Sequence, residues 1–277
     1  MKLSTIAASS SILCGGIAAA AHVPDFHMHH KRALDRRTTG AAFSSGIKRG
    51  LAFSDASLTQ QFTSEQVSWA YNWDSDYSGT LPSGVAYIPM LWSAAPELTS
   101  KWQANAESAI ANGAPYLLGF NEPDDSTQAN MTAQEAADAW MTYMEPFAGR
   151  AKLVSPAVTN GGAPMGKAWL DAFMQACSQC TIDAVAIHIY DYCSNEPYYQ
   201  SYIEEIAQAY GKPVWLTEFG AAGSPPEKIS FLQSMTSWMD NQSFVGAYAW
   251  FMVAPLNLVN SDGSLTGFGL AYLGESP

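Results

Sequence analysis

The sequence predicts an α/β chain folded as one (β/α)8 TIM barrel, with short or missing helices in its early units. Three observations carry that expectation. From residue 48 onward the 277-residue chain contains eight apolar, strand-like runs, and helix-periodic segments separate the later ones. The runs are continuously apolar rather than alternating, as parallel strands covered on both faces tend to be. Eight such units in this length suit one barrel better than two ordinary domains.

The strand-like runs fall at residues 48–54, 67–73, 85–92, 116–122, 152–158, 183–190, 213–218 and 244–251. The first three stand too close together for full helices between them. Helical segments are expected at 97–112, 132–147, 165–176, 198–210 and 226–241. Thr132-Ala133-Gln134-Glu135 reads as a capping box at one helix start. Gly113 and Gly211 fall where helix C-caps are expected. In the sixth run, Val185, Ile187 and Ile189 share a face turned to the helices, while Ala184, Ala186, His188 and Tyr190 share the other.

The N-terminal segment is set aside before any fold reasoning. Lys2 precedes a run of apolar and small residues ending in Ala19-Ala20-Ala21, so residues 1–21 read as a secretory signal peptide. A His-rich basic stretch follows, with dibasic pairs at Lys31-Arg32 and Arg36-Arg37, and residues 22–37 are expected to form a pro-segment. Residues 38–277 are left as a single catalytic domain. No later run is long and apolar enough to span a bilayer, so the expected protein is secreted and has no membrane partner.

Charge and histidine content exclude several function classes. The first 37 residues carry 5 Lys/Arg and 2 Asp/Glu, which leaves 8 basic and 23 acidic side chains and a net charge of −15. Such a surface repels phosphate backbones, so no nucleic-acid partner is expected. His22, His27, His29 and His30 lie in the leader, and only His188 lies beyond it. A multi-histidine zinc site therefore has no ligands. Motifs for a nucleophilic serine, a dinucleotide or a P-loop nucleotide do not occur, and neither metal nor cofactor is expected. Carboxylates remain as the candidate catalysts.

Cys177, Cys180 and Cys193 lie beyond the leader, an odd number for a secreted chain. The sixth strand separates Cys180 from Cys193, and eight residues at about 3.3 Å each span roughly 26 Å. Those two cysteines are too far apart to bond, which leaves Cys177–Cys180 as the expected disulfide and Cys193 as a free thiol. A redox role for this C-x-x-C is disfavoured, because a helix C-terminus does not lower a thiol pKa. Asn130-Met131-Thr132 and Asn241-Gln242-Ser243 are N-glycosylation sequons at element boundaries.

Barrel enzymes build their sites at the C-terminal ends of the strands. Strand four ends Gly119-Phe120-Asn121-Glu122-Pro123-Asp124, and strand seven ends Leu216-Thr217-Glu218-Phe219-Gly220. Strands two, three, six and eight end at Asn72-Trp73, Leu91-Trp92, His188-Ile189-Tyr190-Asp191 and Ala249-Trp250-Phe251. Each of strands four and seven thus places a Glu where an apolar run stops. Two carboxyls at one barrel mouth are what glycosidic cleavage needs: one protonates the leaving oxygen, and the other attacks the anomeric carbon or activates water.

With Asn-Glu-Pro ending strand four and Thr-Glu-Phe-Gly ending strand seven, the chain resembles the clan A glycoside hydrolases. More narrowly, it resembles glycoside hydrolase family 128 over residues 48–272. The likeness also runs through residues 67–73 and 87–92, the Cys177–Cys180 pair, and residues 186–191 and 247–251. It implies a secreted, retaining endo-β-1,3-glucanase of fungal cell-wall glucan, with Glu122 as acid/base and Glu218 as nucleophile. It further implies Asn121 beside the sugar 2-hydroxyl, His188 and Tyr190 lining the subsite that holds the cleaved sugar, and Tyr190 holding Glu218. Trp73, Trp92 and Trp250, with Asn72, complete the expected substrate-binding set, the tryptophans as stacking platforms. Ile189, Asp191 and Ser93 depart from the family pattern and bear on subsite shape more than on catalysis. The expected partner is a β-glucan, acted on by a monomer. Two alternatives share the barrel: a non-catalytic glucan-binding wall protein, and a hydrolase of β-1,4-linked glycans.

Overall fold

The structure is a computed structural model that describes residue 43 and residues 45–277. The expected signal peptide and pro-segment lie outside the described residues. Among the described residues eight parallel strands follow in chain order: β1 (Gly50–Ala52), β2 (Trp69–Tyr71), β3 (Ala86–Tyr87), β4 (Tyr116–Leu118), β5 (Lys152–Val158), β6 (Ala184–Tyr192), β7 (Val214–Ala222) and β8 (Val245–Trp250). Helices α1 (Pro96–Ala111), α2 (Ala133–Tyr143), α3 (Gly166–Ala176), α4 (Glu196–Tyr210), α5 (Pro225–Asn241) and α6 (Gly267–Leu273) alternate with the later strands. As expected, the early units are reduced: a single 3-10 turn, Ala56–Thr59, separates β1 from β2, and no helix separates β2 from β3. Helix α6 has no counterpart among the expected helices. No helix of the described residues is long and apolar enough to cross a membrane.

The strands form two parallel sheets, β1-β2-β3 and β4-β5-β6-β7-β8. Isolated parallel bridges join their edges, at Met90↔Leu118 on one side and at Arg49↔Tyr248 and Phe53↔Val253 on the other. The recorded ladder is therefore two arcs with bridged seams. At the β3 seam Pro89 has no N–H to donate, and only its carbonyl accepts, from Leu118 at 3.0 Å.

Helix ends follow local chemistry. Thr132 and Glu135 form the expected capping box, and Ser224 with Glu227 forms a second at α5. Gly211 closes α4 in the left-handed conformation (φ +60°) that a glycine adopts without a Cβ clash. Cys177 and Cys180 are bonded just past α3, with Cα atoms 5.1 Å apart, and among the described residues Cys193 has no disulfide partner.

Two buried clusters occupy the two faces of the strands. The outer one joins Leu51, Leu117, Leu153, Val185, Ile187, Val214 and Leu216 to helix residues such as Trp102, Trp140, Phe173, Ile203 and Phe231. The inner one holds Trp69, Tyr71, Met90, Leu118, Val154, Ala184, Ala186, Trp215, Ala247 and Ala249. Small residues on β6 and β8 make room for Trp69 and Trp215, whose rings lie 5.1 Å apart. Phe43 covers this interior by packing on Trp69, Tyr116 and Trp215.

One cation ties the segment before β1 to the end of α5. Buried Lys48 donates to the carbonyls of Met239, Asp240 and Gln242 at 3.1, 2.9 and 2.6 Å. These carbonyls lie at the C-terminal end and cap of α5, where partial negative charge accumulates, and those of Met239 and Gln242 each also accept one backbone N–H, from Gln242 and Val245 at 3.2 Å. Beside it, Tyr248 N donates to Lys48 O at 2.9 Å, along the β8–β1 seam. Lys48→Met should therefore lower stability by about 2 kcal/mol, because buried acceptors lose a charged donor. Urea unfolding monitored by tryptophan fluorescence would measure it, and an unchanged midpoint would show that the seam does not depend on this contact.

Candidate active site

The ladder of β4 ends at Leu118, and residues 119–122 carry the chain on to Glu122. Gly119 allows the close passage: a Cβ there would lie 2.8 Å from the Trp140 ring and 2.9 Å from Pro156 N. Asn121 N donates to Trp92 O at 2.9 Å and Glu122 N to Ala157 O at 2.8 Å, so the segment is held between the chain that follows β3 and β5. Glu122 itself adopts φ +42°, a left-handed conformation that costs a non-glycine residue about 1 kcal/mol or more. Its side chain is 14% exposed.

A bulge aims the second carboxylate. Trp215 points into the inner cluster and Leu216 outward, so strict alternation would turn Thr217 inward and Glu218 away. The pairing with β6 instead jumps from Ile187↔Leu216 to His188↔Glu218, leaving Thr217 as the extra residue. Thr217 and Glu218 thereby both turn inward. Phe219 turns outward, 5.0 Å from the Trp250 ring.

His188 joins the two arms. It is fully buried, with Nδ1 2.7 Å from Glu122 Oε1 and Nε2 2.9 Å from Thr217 Oγ1 and 3.6 Å from Glu218 Oε1. One ligand-type oxygen of Glu122, one of Glu218 and a ring nitrogen of His188 all lie within 4.8 Å of one another. A cation could be held by such a group, but it would displace contacts these atoms already make. Burial alone would lower the His188 pKa. The charge of Glu218, then the hydrogen bond and charge of Glu122, and the charge of Asp124 outweigh it, and the net shift is upward. As imidazolium, His188 donates from both ring nitrogens.

Glu218 is surrounded by donors. Trp73 Nε1 donates to Oε1 at 2.7 Å, Tyr190 Oη to Oε2 at 2.5 Å, and Tyr71 Oη lies 3.4 Å from Oε1 and 3.0 Å from Thr217 O. Burial first, and then the charge of Glu218, push both phenols well above their ordinary pKa, so Tyr71 and Tyr190 keep their protons and remain donors. Phe251 packs edge-on against Trp73 and Tyr190, at 5.6 and 5.9 Å, on the rim above this carboxylate.

Glu122, Asn121, His188, Tyr190, Glu218 and Trp73 thus come together, and Trp92 packs partly buried against the inner cluster. The amide oxygen of Asn121 is buried and has no hydrogen-bond partner among the described residues, while its Nδ2 donates to Gln128 at 3.3 Å. Three expectations are corrected. Trp250 is only 4% exposed, packs with Phe219 and Phe231, and donates to Asn257, so it has no open face for stacking. Asn72 turns away from Trp73 by strand alternation and organises a local turn through Asp74 N, Asp76 O and Tyr87 Oη. His188 is 0% exposed and touches the carboxylates rather than an open surface. Asn130 and Asn241 are both exposed.

Tyr71, Phe251 and Thr217 were not singled out from the sequence. Alternation could have found the first two, since Trp69, Tyr71 and Trp73 share a face, as do Ala247, Ala249 and Phe251. No local signal marks Thr217, because only the pairing with β6 creates its bulge.

Comparison with known proteins places this geometry in context. The glycosyl hydrolase catalytic core family matches residues 50–272. "Alkali-sensitive linkage protein 1" of Schizosaccharomyces pombe is 32% identical over 254 residues, covering 82% of this chain and 44% of that protein. The chain therefore spans under half the length of this relative. A glycoside hydrolase family 128 curdlan-specific exo-β-1,3-glucanase from Blastomyces gilchristii, solved with glucose, is 40% identical with a TM-score of 0.74, over 82% of this chain and 97% of that one. A family 128 endo-β-1,3-glucanase from Sorangium cellulosum is 34% identical with a TM-score of 0.72, over 83% of this chain and 99% of that one.

The upward shift at His188 has a consequence for stability. Its folded pKa lies above the ordinary 6.5, so its contribution is fully present below that value and is lost as pH rises through the folded pKa. The melting temperature of the wild type should therefore fall more steeply above pH 6.5 than that of His188→Gln. Parallel curves from scanning calorimetry between pH 5 and 9 would refute the assignment.

Proposed function

This chain belongs to the glycosyl hydrolase catalytic core family, within glycoside hydrolase family 128, and we propose that it hydrolyses β-1,3-glucan by double displacement with net retention. The observation that carries the mechanism is the approach of Glu122 and Glu218 oxygens to within 4.8 Å. Retaining glycosidases hold their carboxyls about 5–5.5 Å apart, and inverting ones roughly 6.5–9.5 Å to admit a water. The β-1,3 linkage rests on the similar family 128 glucanases.

Glu122 is the proton donor and Glu218 the nucleophile. The donors on Glu218 (Trp73, Tyr71 and Tyr190) fix its orientation for attack, and its charge is one that an anomeric carbon can accept. In the first step the Glu218 carboxylate bonds to C1 as the glycosidic bond breaks, and Glu122 gives its proton to the leaving oxygen. In the second, Glu122 takes a proton from water, the water oxygen bonds to C1, and the ester to Glu218 breaks. His188 holds Glu122 throughout. The amide oxygen of Asn121, unpartnered among the described residues, is suited to accept a hydrogen bond from a sugar hydroxyl. Trp73, Trp92, Phe251 and the exposed part of Tyr190 supply apolar surface for sugar faces.

The two bridged arcs are read as one (β/α)8 barrel, a reading supported by the seam contacts and by the similarity to the family 128 structures. The expected leader supports secretion toward a cell wall, with exposed Asn130 and Asn241 as glycosylation sites. The presence of both glutamates and their approach favour catalysis over glucan binding alone. Endo action is the mode expected from the resemblance, whereas one of the two similar structures is exo-acting. The product series from laminarin distinguishes them, a ladder of oligosaccharides for endo action and one small product for exo.

Glu218→Gln should lose about 10³-fold or more in turnover on laminarin. Glu122→Gln should lose about 10²- to 10⁴-fold there, yet recover on aryl laminaribiosides whose leaving groups need no proton. Reducing-sugar assays read both, and near-normal turnover in Glu218→Gln would overturn the nucleophile role. Purified protein should release sugar from laminarin but not from cellulose or mannan. The first product seen by proton NMR should be the β-anomer, and an α-anomer would rule out retention.

A further inference from the structure

The loop between β5 and α3, residues 159–165, touches both carboxylate arms. Asp124 lies two residues beyond Glu122. Its carboxylate accepts from Thr159 Oγ1 at 2.6 Å, Thr159 N at 3.1 Å and Gly166 N at 2.8 Å, and so clasps both ends of the loop. The loop is tightly folded: Gly161 N donates to Thr159 Oγ1 at 3.1 Å, and a Cβ on Gly166 would lie 2.3 Å from Gly161 O. Between these anchors stands Asn160. Its Nδ2 donates to Tyr190 O and to Tyr198 Oη, both at 3.2 Å, and its Oδ1 accepts from Tyr190 N at 3.2 Å.

That amide replaces a missing piece of strand. The last recorded pairing of β5 with β6 is Val158↔Ile187, while β6 continues to Tyr192. Beyond Ile187 the β5-side edge of β6 would be left with unpaired backbone groups. Asn160 pairs with both backbone groups of Tyr190 as a strand residue would. On its other side Tyr190 pairs with Gly220, and a Cβ on Gly220 would lie 2.8 Å from the Tyr190 ring. Tyr190 is thus fixed from two sides, and its hydroxyl holds Glu218 Oε2 at 2.5 Å.

We propose that Asn160 is a positioning residue for the nucleophile. It acts through Tyr190, on a loop that Asp124 fastens to the Glu122 arm, so that one brace sets the spacing of the two carboxylates. The inference rests on the reading of Glu218 as nucleophile. Asn160 touches no reacting atom, so its removal should slow the step in which Glu218 attacks while leaving sugar binding nearly intact.

The probe is 2-deoxy-2-fluoro-β-laminaribiosyl fluoride. Glu218 attacks C1, the C–F bond breaks, and fluoride leaves with the electron pair, giving an ester whose formation intact-protein mass spectrometry follows. Wild type should be labelled on Glu218. Asn160→Ala, and the isosteric Asn160→Asp that guards against misfolding, should be labelled about tenfold more slowly at saturating probe, with half-saturation changed less than about twofold. In a Tyr190→Phe background, where the contact to Glu218 is already lost, removing Asn160 should cost less than about twofold, because coupled residues are not additive. A folded Asn160 variant labelled at the wild-type rate overturns the brace, as does a full tenfold loss in the Tyr190→Phe background. Absence of label on wild-type Glu218 overturns the nucleophile reading itself, a result distinct from either.

Discussion

Two carboxylates cannot share a half-buried mouth unless donors divide them. Like charges this close in a medium less polar than water repel strongly, and a buried charge without partners is costly. In this protein the divider is His188, with one ring nitrogen on Glu122 and the other between Thr217 and Glu218. Its burial works against protonation and the two glutamates work for it, and the glutamates prevail. The arrangement of the surrounding strands follows from keeping these three side chains in register.

Three strands, β4, β7 and β2, contribute a local irregularity to that end. β4 stops laddering at Leu118 so that Glu122 can be held in a left-handed turn from both neighbours. β7 gains a residue at Thr217, which turns Glu218 inward beside His188. β2 ends at Tyr71, and Trp73, also left-handed at φ +60°, brings its indole N–H to Glu218. Backbone departures of this sort are concentrated where function requires a side-chain direction that regular alternation does not give. The small residues lower on β6 and β8 leave space for aromatic filling, so the mouth rests on a packed interior rather than a channel.

The fold also shows how a chain with three abbreviated units keeps its shape. β1, β2 and β3 have two or three residues each and little helical cover. Their stability comes from aromatic packing inside, at Trp69 and Tyr71, and from the seam where Lys48 and Arg49 meet the end of α5 and Tyr248. The longer β5 to β8 region carries the deeper outer core. Glu122 lies beyond the end of β4, at the edge of this region, and Glu218 lies on β7 within it.

The sequence by itself determined the order of the eight strands and of helices α1 to α5, though not α6, because continuous apolar runs, helical periodicity and caps are local properties. It also marked Glu122 and Glu218 as carboxylates where apolar runs stop, although Glu122 lies four residues beyond β4 and β7 continues past Glu218 to Ala222, and it marked the disulfide as a short-range pair. Strand alternation even held enough to find Tyr71 and Phe251. It could not show that Glu218 faces inward, since strict alternation points it away and only the β6–β7 register creates the bulge. Nor could it separate Trp73, which reaches Glu218, from Trp250, which packs into the outer core: both are aromatic residues at a strand end. Those outcomes depend on which strand lies beside which and where the pairing slips. Such long-range contacts are settled when the chain packs, and only the tertiary structure contains them.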